Sequence, residues 1–340
     1  MAVIRTHIGM PDDAGLLARW DALVVADPLG TFFHTSRYLG LWARVLGTRA
    51  TVHVHEVVEG DTTIGIIPVA LQREGSATGP MEVVRFLGGD QVTDYLGPVA
   101  LPEHRGVVAN TYLSRLAEDG DWDEFVAGGV VVGSGWEEHW RDAASALGLV
   151  PLEAVQEDVC PRIDLSDGYG AYLDGLPSKL RHELRRKARK LSRDAGEYDL
   201  VEVPLADHGE ALERFFEMNV EAGDEKGRFF ANDEMRVWFR ALASELGADK
   251  ILRIHELHVG GTPGAACVSI VHGGEWGLYN SAFDPALGML APGMVIVGEL
   301  IEMAANEGLA VFDLLRGDEP YKYRFGPVDR ELVSATFHRA

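Results

Sequence analysis

The chain has 340 residues, 46% apolar and 25% charged, with a formal net charge of −22 at neutral pH. That length exceeds one ordinary core, so two domains are expected. No apolar run reaches the roughly 18 residues of a membrane span, the opening MAVIRTHIGMPDD lacks an apolar signal core, which points to the cytoplasm, and the negative charge disfavours nucleic acid as a partner.

An amphipathic helix is expected near residues 12–25. A Phe pair, Phe32-Phe33, then leads into a helix holding Trp42 and stopped at Gly47, where a glycine cap fits. A strand, a turn at Gly60 and a second strand follow. MEVVRFLGG reads as a third antiparallel strand. The stretch GGDQVTDYLGP, residues 88–98, ends this meander and offers Asp94 and Tyr95 to an acceptor. A helix over 103–118 and a short apolar strand, GGVVVG at 128–133, close the first half.

The domain boundary is expected near residue 160, giving domains 1–160 and 161–340. Cys160 and Cys267 lie in apolar, strand-like contexts and read as buried thiols. Residues 178–193, SKLRHELRRKARKLSR, hold eight of the 31 Lys and Arg. Leu180, Leu184, Ala188 and Leu191 recur at helical spacing, so this is an amphipathic helix. Arg181, Arg185 and Arg189 share one face, which suits a phosphorylated ligand.

The second half then repeats the first. A helix near 207–222 precedes FFANDEMRVWFRALASELG, with its own Phe pair, Trp238 and Gly247. Two strands meet at Gly260-Gly261, and EWGLYNSAFD reads as the third. Gly47 and Gly247, and Gly60 and Gly260, are each offset by 200 residues. The ordered set of matches indicates a duplicated unit. A three-strand meander, a crossover helix (293–307) and a further strand (AVFDLL, 310–315) predict a mixed α/β or α+β sheet in each half.

The loop between Phe283 and the 293–307 helix carries Asp284, Pro285, Gly288, Ala291, Pro292, Gly293 and Met294. A helix start offers free amides and a positive dipole end, and glycines permit close approach of a ligand. A meander, such a loop, a helix and a splaying strand resemble the GNAT acyltransferase superfamily. The resemblance covers 160–340 well and the first half loosely. It implies acyl-CoA (acetyl-CoA) as donor, held by Gly288, Ala291, Pro292, Gly293 and Met294. The loop departs from the family pattern in having no Arg or Gln ahead of its glycines.

LRHELRRKARKL, followed by DLLRGDEPYKYRFG at 313–326, resembles the CelD-type acyltransferases of the FemAB-like branch, which carry two GNAT-like domains in tandem. Tyr321, Lys322, Phe325 and Gly326 match that branch's aromatic-Lys-x-x-Phe-Gly ending. The resemblance implies an N-acyltransferase acting on an amine, in cell-envelope or polysaccharide metabolism. The donor is expected on the second domain and none on the first, with the acceptor expected in a cleft between domains.

Acyl transfer to an amine needs a base, oxyanion donors and an acid. Asp313 and Glu319 are candidates for the first, Lys322 for the second, and Tyr321 or Tyr323 for the third. Arg181, Arg185, Arg189, Asp94, Tyr95 and Asp284 are candidates for substrate binding. Two other readings fit the same residues: an aminoacyl-tRNA-dependent transferase of this fold, and a binding module without catalysis. HExxH, paired CxxC, Walker and Gly-x-Ser-x-Gly motifs are absent. His53 and His55 share a strand face but lack a third ligand, so no metal is expected.

Overall fold

Each copy of the repeated segment opens with a strand that the residue pattern did not announce. The structure, a computed structural model, describes all residues except Ala77, Thr78, Asp90, 152–154, Asp224 and Ala340. It divides into two compact units, Met1–Val159 with Arg330–Ala340, and Cys160–Asp329.

The first unit runs β1 (Ala2–Ile8), α1 (Ala14–Ala26), α2 (Ser36–Val45), β2 (Thr51–Glu59), β3 (Thr62–Ser76), β4 (Gly79–Phe86), α3 (Arg105–Asp119), β5 (Glu124–Val131), α4 (Trp136–Leu147) and β6 (Val150–Pro151). Strands β1 to β4 pair antiparallel in sequence order, and β4 pairs parallel with β5. The division then falls within β7 (Val155–Asp164).

The second unit continues with α5 (Gly168–Gly175), α6 (Ser178–Ala195), β8 (Tyr198–Glu202), α7 (His208–Ala222), α8 (Glu225–Phe230), α9 (Asp233–Leu246), β9 (Leu252–Val259), β10 (Thr262–His272), β11 (Glu275–Phe283), α10 (Pro292–Asn306) and β12 (Val311–Asp313). Strands β8 to β11 pair antiparallel, β11 pairs parallel with β12, and β12 pairs antiparallel with β7. Strand, helices (two in the first unit, three in the second), three-strand meander, helix and parallel strand thus occur twice, as a mixed α/β sheet in each unit.

Residues 330–340, which follow the second half in sequence, belong instead to the first unit. They form most of β13 (Val328–His338), which pairs antiparallel with β5 and buries Phe337 against Phe125. The strand placed at 128–133 starts earlier, at Glu124, because Phe125 and Ala127 already face the core. Gly47 and Gly247 are not left-handed caps. A Cβ at Gly47 would stand 2.8 Å from the Trp42 ring, and one at Gly247 would stand 2.6 Å from the Ala243 carbonyl. Close approach, not positive φ, requires glycine at both.

The duplication extends to a buried charge. Glu56 on β2 and Glu256 on β9 are 2% and 3% exposed. Each accepts from an arginine of the first helix of its repeat, Arg19 of α1 at 2.9 Å and Arg214 of α7 at 2.8 Å. The strand's alternation sends the preceding histidines, His55 and His255, to the opposite face, where burial pushes both down to about 4. His55 bonds Thr6. Among the described residues no cluster is arranged to hold a metal. No helix among them is long and apolar enough to cross a membrane.

Burial raises the Glu56 pKa, but hydrogen bonds from Thr63 and Arg19 outweigh it and leave it below 4.5. A depressed carboxylate contributes stability above its unfolded pKa and loses it as pH falls through the folded one. Glu56→Gln should therefore destabilise the first unit at neutral pH by about 1.5–3 kcal/mol, the worth of a charged hydrogen bond. In denaturant titrations the gap to wild type should close below the ordinary carboxylate range. A gap constant with pH would contradict this.

Candidate active site

In the second unit β11 and β12 pair only over Glu275–Gly277 and Val311–Asp313. Beyond that, β11 runs on to Phe283 while the chain after β12 turns away through Leu315, which has φ +57°. The departure is held by one side chain. Lys322 is 3% exposed, and its Nζ donates to the carbonyls of Leu315, Arg316 and Gly317 at 3.0, 2.7 and 3.1 Å. Glu319 Oε2 lies 2.9 Å from the same nitrogen. Four acceptors surround three protons, so this ammonium is fully engaged.

The rest of the DLLRGDEPYKYRFG stretch follows from that anchor. Gly317 has φ +114°, and a Cβ there would stand 2.5 Å from Glu319 Oε2. Phe325 is fully buried in the core cluster beneath α10. Its carbonyl accepts from the Tyr172 hydroxyl at 2.9 Å. Gly326, at φ +67°, leaves room that Leu176 fills, since a Cβ would stand 2.4 Å from Leu176 Cδ2. The lysine, the phenylalanine and the glycine of the motif therefore each have a packing reason.

Where the strands part, a pocket of about 360 Å³ opens. Its walls are Ser281, Ala282 and Phe283 of β11, then Gly288, Ala291, Gly293 and Met294 at the start of α10. Glu319 and Tyr321 line it from the turn after β12, and Met218, Asn219, Ala222 and Lys226 from α7 and α8. Burial raises the Tyr321 pKa and Glu319 adds to the shift, while a hydrogen bond with Ser281 opposes it; the net is well above the usual tyrosine range. Burial also raises the Glu319 pKa, but Lys322 outweighs it, and the carboxyl ends below its ordinary value. At neutral pH the pocket thus holds a protonated phenol beside a carboxylate.

The sequence-predicted residues separate accordingly. Glu319, Tyr321, Gly288, Ala291, Gly293 and Met294 meet in this pocket. Lys322 does not aim into it, because carbonyls hold it. Asp313 is 2% exposed, pairs with Arg162 at 3.2 Å and accepts from the Leu315 amide at 2.8 Å, so it closes a strand end. Tyr323 bonds Asp329 at 3.2 Å. Pro292 is buried in the first turn of α10. Asp284 accepts from the Ala286 amide at 2.8 Å and caps the turn after β11. Arg181 and Arg185 line a separate groove of about 260 Å³ between α5, α6 and α10, and Arg189 donates to the Arg185 carbonyl. Asp94 and Tyr95 belong to the first unit. Tyr95 is 1% exposed, with the Arg330 guanidinium over its ring at 5.6 Å.

Met218, Asn219, Lys226 and Ser281 were not anticipated. Asn219 carried a signal. It stands in the buried stripe of α7 with Phe215, whose carbonyl takes its amide at 3.0 Å. A polar residue where the period calls for an apolar one marks a pocket wall.

The start of α10 fits a pyrophosphate poorly. Helix starts ordinarily leave amides free. Here Pro292 has none, and the Met294 and Val295 amides both bond the Ala291 carbonyl. The Ala291 amide bonds Gly288. Among the described residues this leaves Gly293 in the first turn, and the Phe283 ring lies 3.3 Å from where its Cβ would be.

The first unit differs at the equivalent place. Its helix after the meander, α3, begins with Arg105, 4% exposed, whose Nη2 meets Asp27 at the end of α1 at 2.7 Å. The Arg105 guanidinium also lies 5.8 Å from the Trp136 ring. The cavity left beside this pair is about 20 Å³.

Residues 178–323 match the acetyltransferase (GNAT) domain family. No curated protein matches the chain in sequence. Among solved structures, FemX is similar with a TM-score of 0.66 at 10% identity, covering 93% of this chain and 95% of that one. A tandem GNAT protein from the clavulanic acid biosynthesis pathway gives 0.54 at 13%, covering 98% of each. L-PGS from Bacillus licheniformis gives 0.54 at 13%, covering 96% and 92%. At such identities the likeness is one of fold, and the fold is that of tandem GNAT proteins.

Removal of the Lys322 ammonium strands three carbonyls and a half-buried carboxylate. Lys322→Ala should therefore cost about 3 kcal/mol of stability in the second unit, and lower its melting temperature together with activity. Lys322→Arg should not restore it, since a planar fork does not fit three converging carbonyls. A Lys322→Ala protein of wild-type stability would refute this.

Proposed function

From a GNAT acyltransferase domain over residues 178–323 within a tandem-GNAT fold, we propose that the protein moves an acyl group from a thioester donor to an amine. The observation that carries this reading is the pocket at the β11–β12 split, where Tyr321 and Glu319 face one apolar-walled space. The acyl group lies against Met218, Phe283 and Met294. Acyl-CoA is the donor the domain family implies, and its thioester end suits the pocket better than its pyrophosphate suits the start of α10.

The carboxylate of Glu319 seats the acceptor's ammonium. Its depressed pKa makes it a poor store for a proton, so the first ammonium proton passes by way of Glu319 to water. The amine nitrogen then attacks the carbonyl carbon, the C–N bond forms and the C–S bond breaks. Tyr321 gives its proton to the leaving sulfur and recovers one from the nitrogen. Lys226 supplies the positive charge in the lining for the transient oxyanion. Lys322 acts as a positioning residue: it fixes the turn that carries Glu319 and Tyr321. We assign the donor to the second unit alone, because the Asp27–Arg105 pair fills the matching place in the first.

A second reading, an aminoacyl-tRNA donor, draws on one observation, the exposed Arg185, Arg186 and Arg189 of α6.

Tyr321→Phe tests the assignment. A general acid contributes about 100-fold or more, so kcat for transfer from an acyl thioester should fall by that order with little change in stability. Because the phenol titrates far above its usual range, wild-type activity should show no basic limb from Tyr321 up to mildly alkaline pH. Wild-type turnover in Tyr321→Phe would remove the role.

A further inference from the structure

The start of α10 leaves the donor's phosphate without a cradle, and α6 lies beside that loop. Lys190 of α6 donates to the Met289 carbonyl at 2.8 Å. Around it the helix is unusually cationic for a chain of net charge −22. Arg181, Lys187 and Arg193 are balanced by Asp174, Glu183 and Asp194. Arg185, Arg186 and Arg189 are exposed, and no carboxylate among the described residues pairs with them. Three like charges within about one turn repel each other, so helix stability does not account for their clustering.

Beside the arginines the surface turns apolar. Met289, at the tip of the loop after β11, is 86% exposed, and Phe283 is 41% exposed. Phe283 also lines the pocket, so the pocket mouth opens within this patch. An RNA backbone gains little from covering a methionine. An apolar centre with a basic rim fits a protein whose surface is acidic. The net charge of the chain does not prevent such docking, because charges beyond about 8 Å are screened at physiological ionic strength.

We propose that the acyl donor is delivered by an acidic carrier protein. It docks on Arg185, Arg186 and Arg189 of α6 and on Met289, with its phosphopantetheine thioester passing Phe283 into the pocket. The proposal rests on the pocket being the donor site. It assigns the arm's phosphodiester to the α6 arginines and not to the amides of α10.

The experiment uses the full chain and three probes: an acidic acyl carrier protein bearing octanoyl-phosphopantetheine, octanoyl-CoA, and bulk tRNA. Binding is read by fluorescence anisotropy at several salt concentrations. The acylated carrier should bind most tightly, with affinity falling as salt rises. Arg186→Glu with Arg189→Glu, and separately Met289→Glu, should each weaken it about tenfold or more without lowering the melting temperature. Octanoyl-CoA bound as tightly as the carrier, tRNA bound through these arginines while the carrier is not, or carrier binding indifferent to both variants would each overturn the proposal. Docking without any transfer from the acylated form would leave the surface standing and remove the pocket as donor site. Transfer from octanoyl-CoA with no carrier binding would remove the surface alone.

Discussion

The candidate site depends on one buried ammonium. After β12 the chain parts from its parallel neighbour β11, and three successive carbonyls, from Leu315 to Gly317, converge on one ammonium. Unpaired buried carbonyls are costly. Lys322 answers all three at once and adds an ion pair to Glu319. The turn it fixes sets Glu319 and Tyr321 at the mouth of the split. The same interaction keeps Glu319 ionised despite partial burial. A packing necessity and an electrostatic condition for the proposed amine chemistry therefore have one source.

The two units show how a duplicated fold can keep its scaffold while the space at one place differs. Both retain the strand glutamate clamped by an arginine of the repeat's first helix, Glu56 with Arg19 and Glu256 with Arg214. They differ where α1 and α7 end. In the second unit α7 presents Met218, Asn219 and Ala222 to an open pocket. In the first, Asp27 at the end of α1 meets Arg105, and little space remains. Two charges that close one pocket and a set of apolar and amide groups that leaves the other open are what distinguish them.

Much of this organisation was legible in the residues. The 200-residue offset of paired glycines reported the duplication, because local spacing survives where identity does not. Amphipathic stretches such as 207–222 and the loop before α10 were readable by period and by turn residues. The opening strands β1 and β8 were not, since at their sheet edges they are only partly buried and their alternation is weak. Nor was the return of β13 to β5, which is a long-range pairing that no local pattern encodes. The sequence suggests a Lys322 that projects into the cleft, whereas its ammonium turns onto three carbonyls. A lysine in a short motif looks like a projecting charge, and only the carbonyls of the preceding turn show that it points inward.

The most direct measurement is a crystal structure of the chain with a thioether analogue of an acyl-pantetheine, in which the carbonyl is replaced by a methylene and no transfer occurs. The sulfur is expected within hydrogen-bond reach of the Tyr321 hydroxyl, with the acyl chain against Met218, Phe283 and Met294. Density for the analogue in the groove between α5, α6 and α10, or in the first unit beside Asp27 and Arg105, would contradict the assignment of the donor to the β11–β12 split.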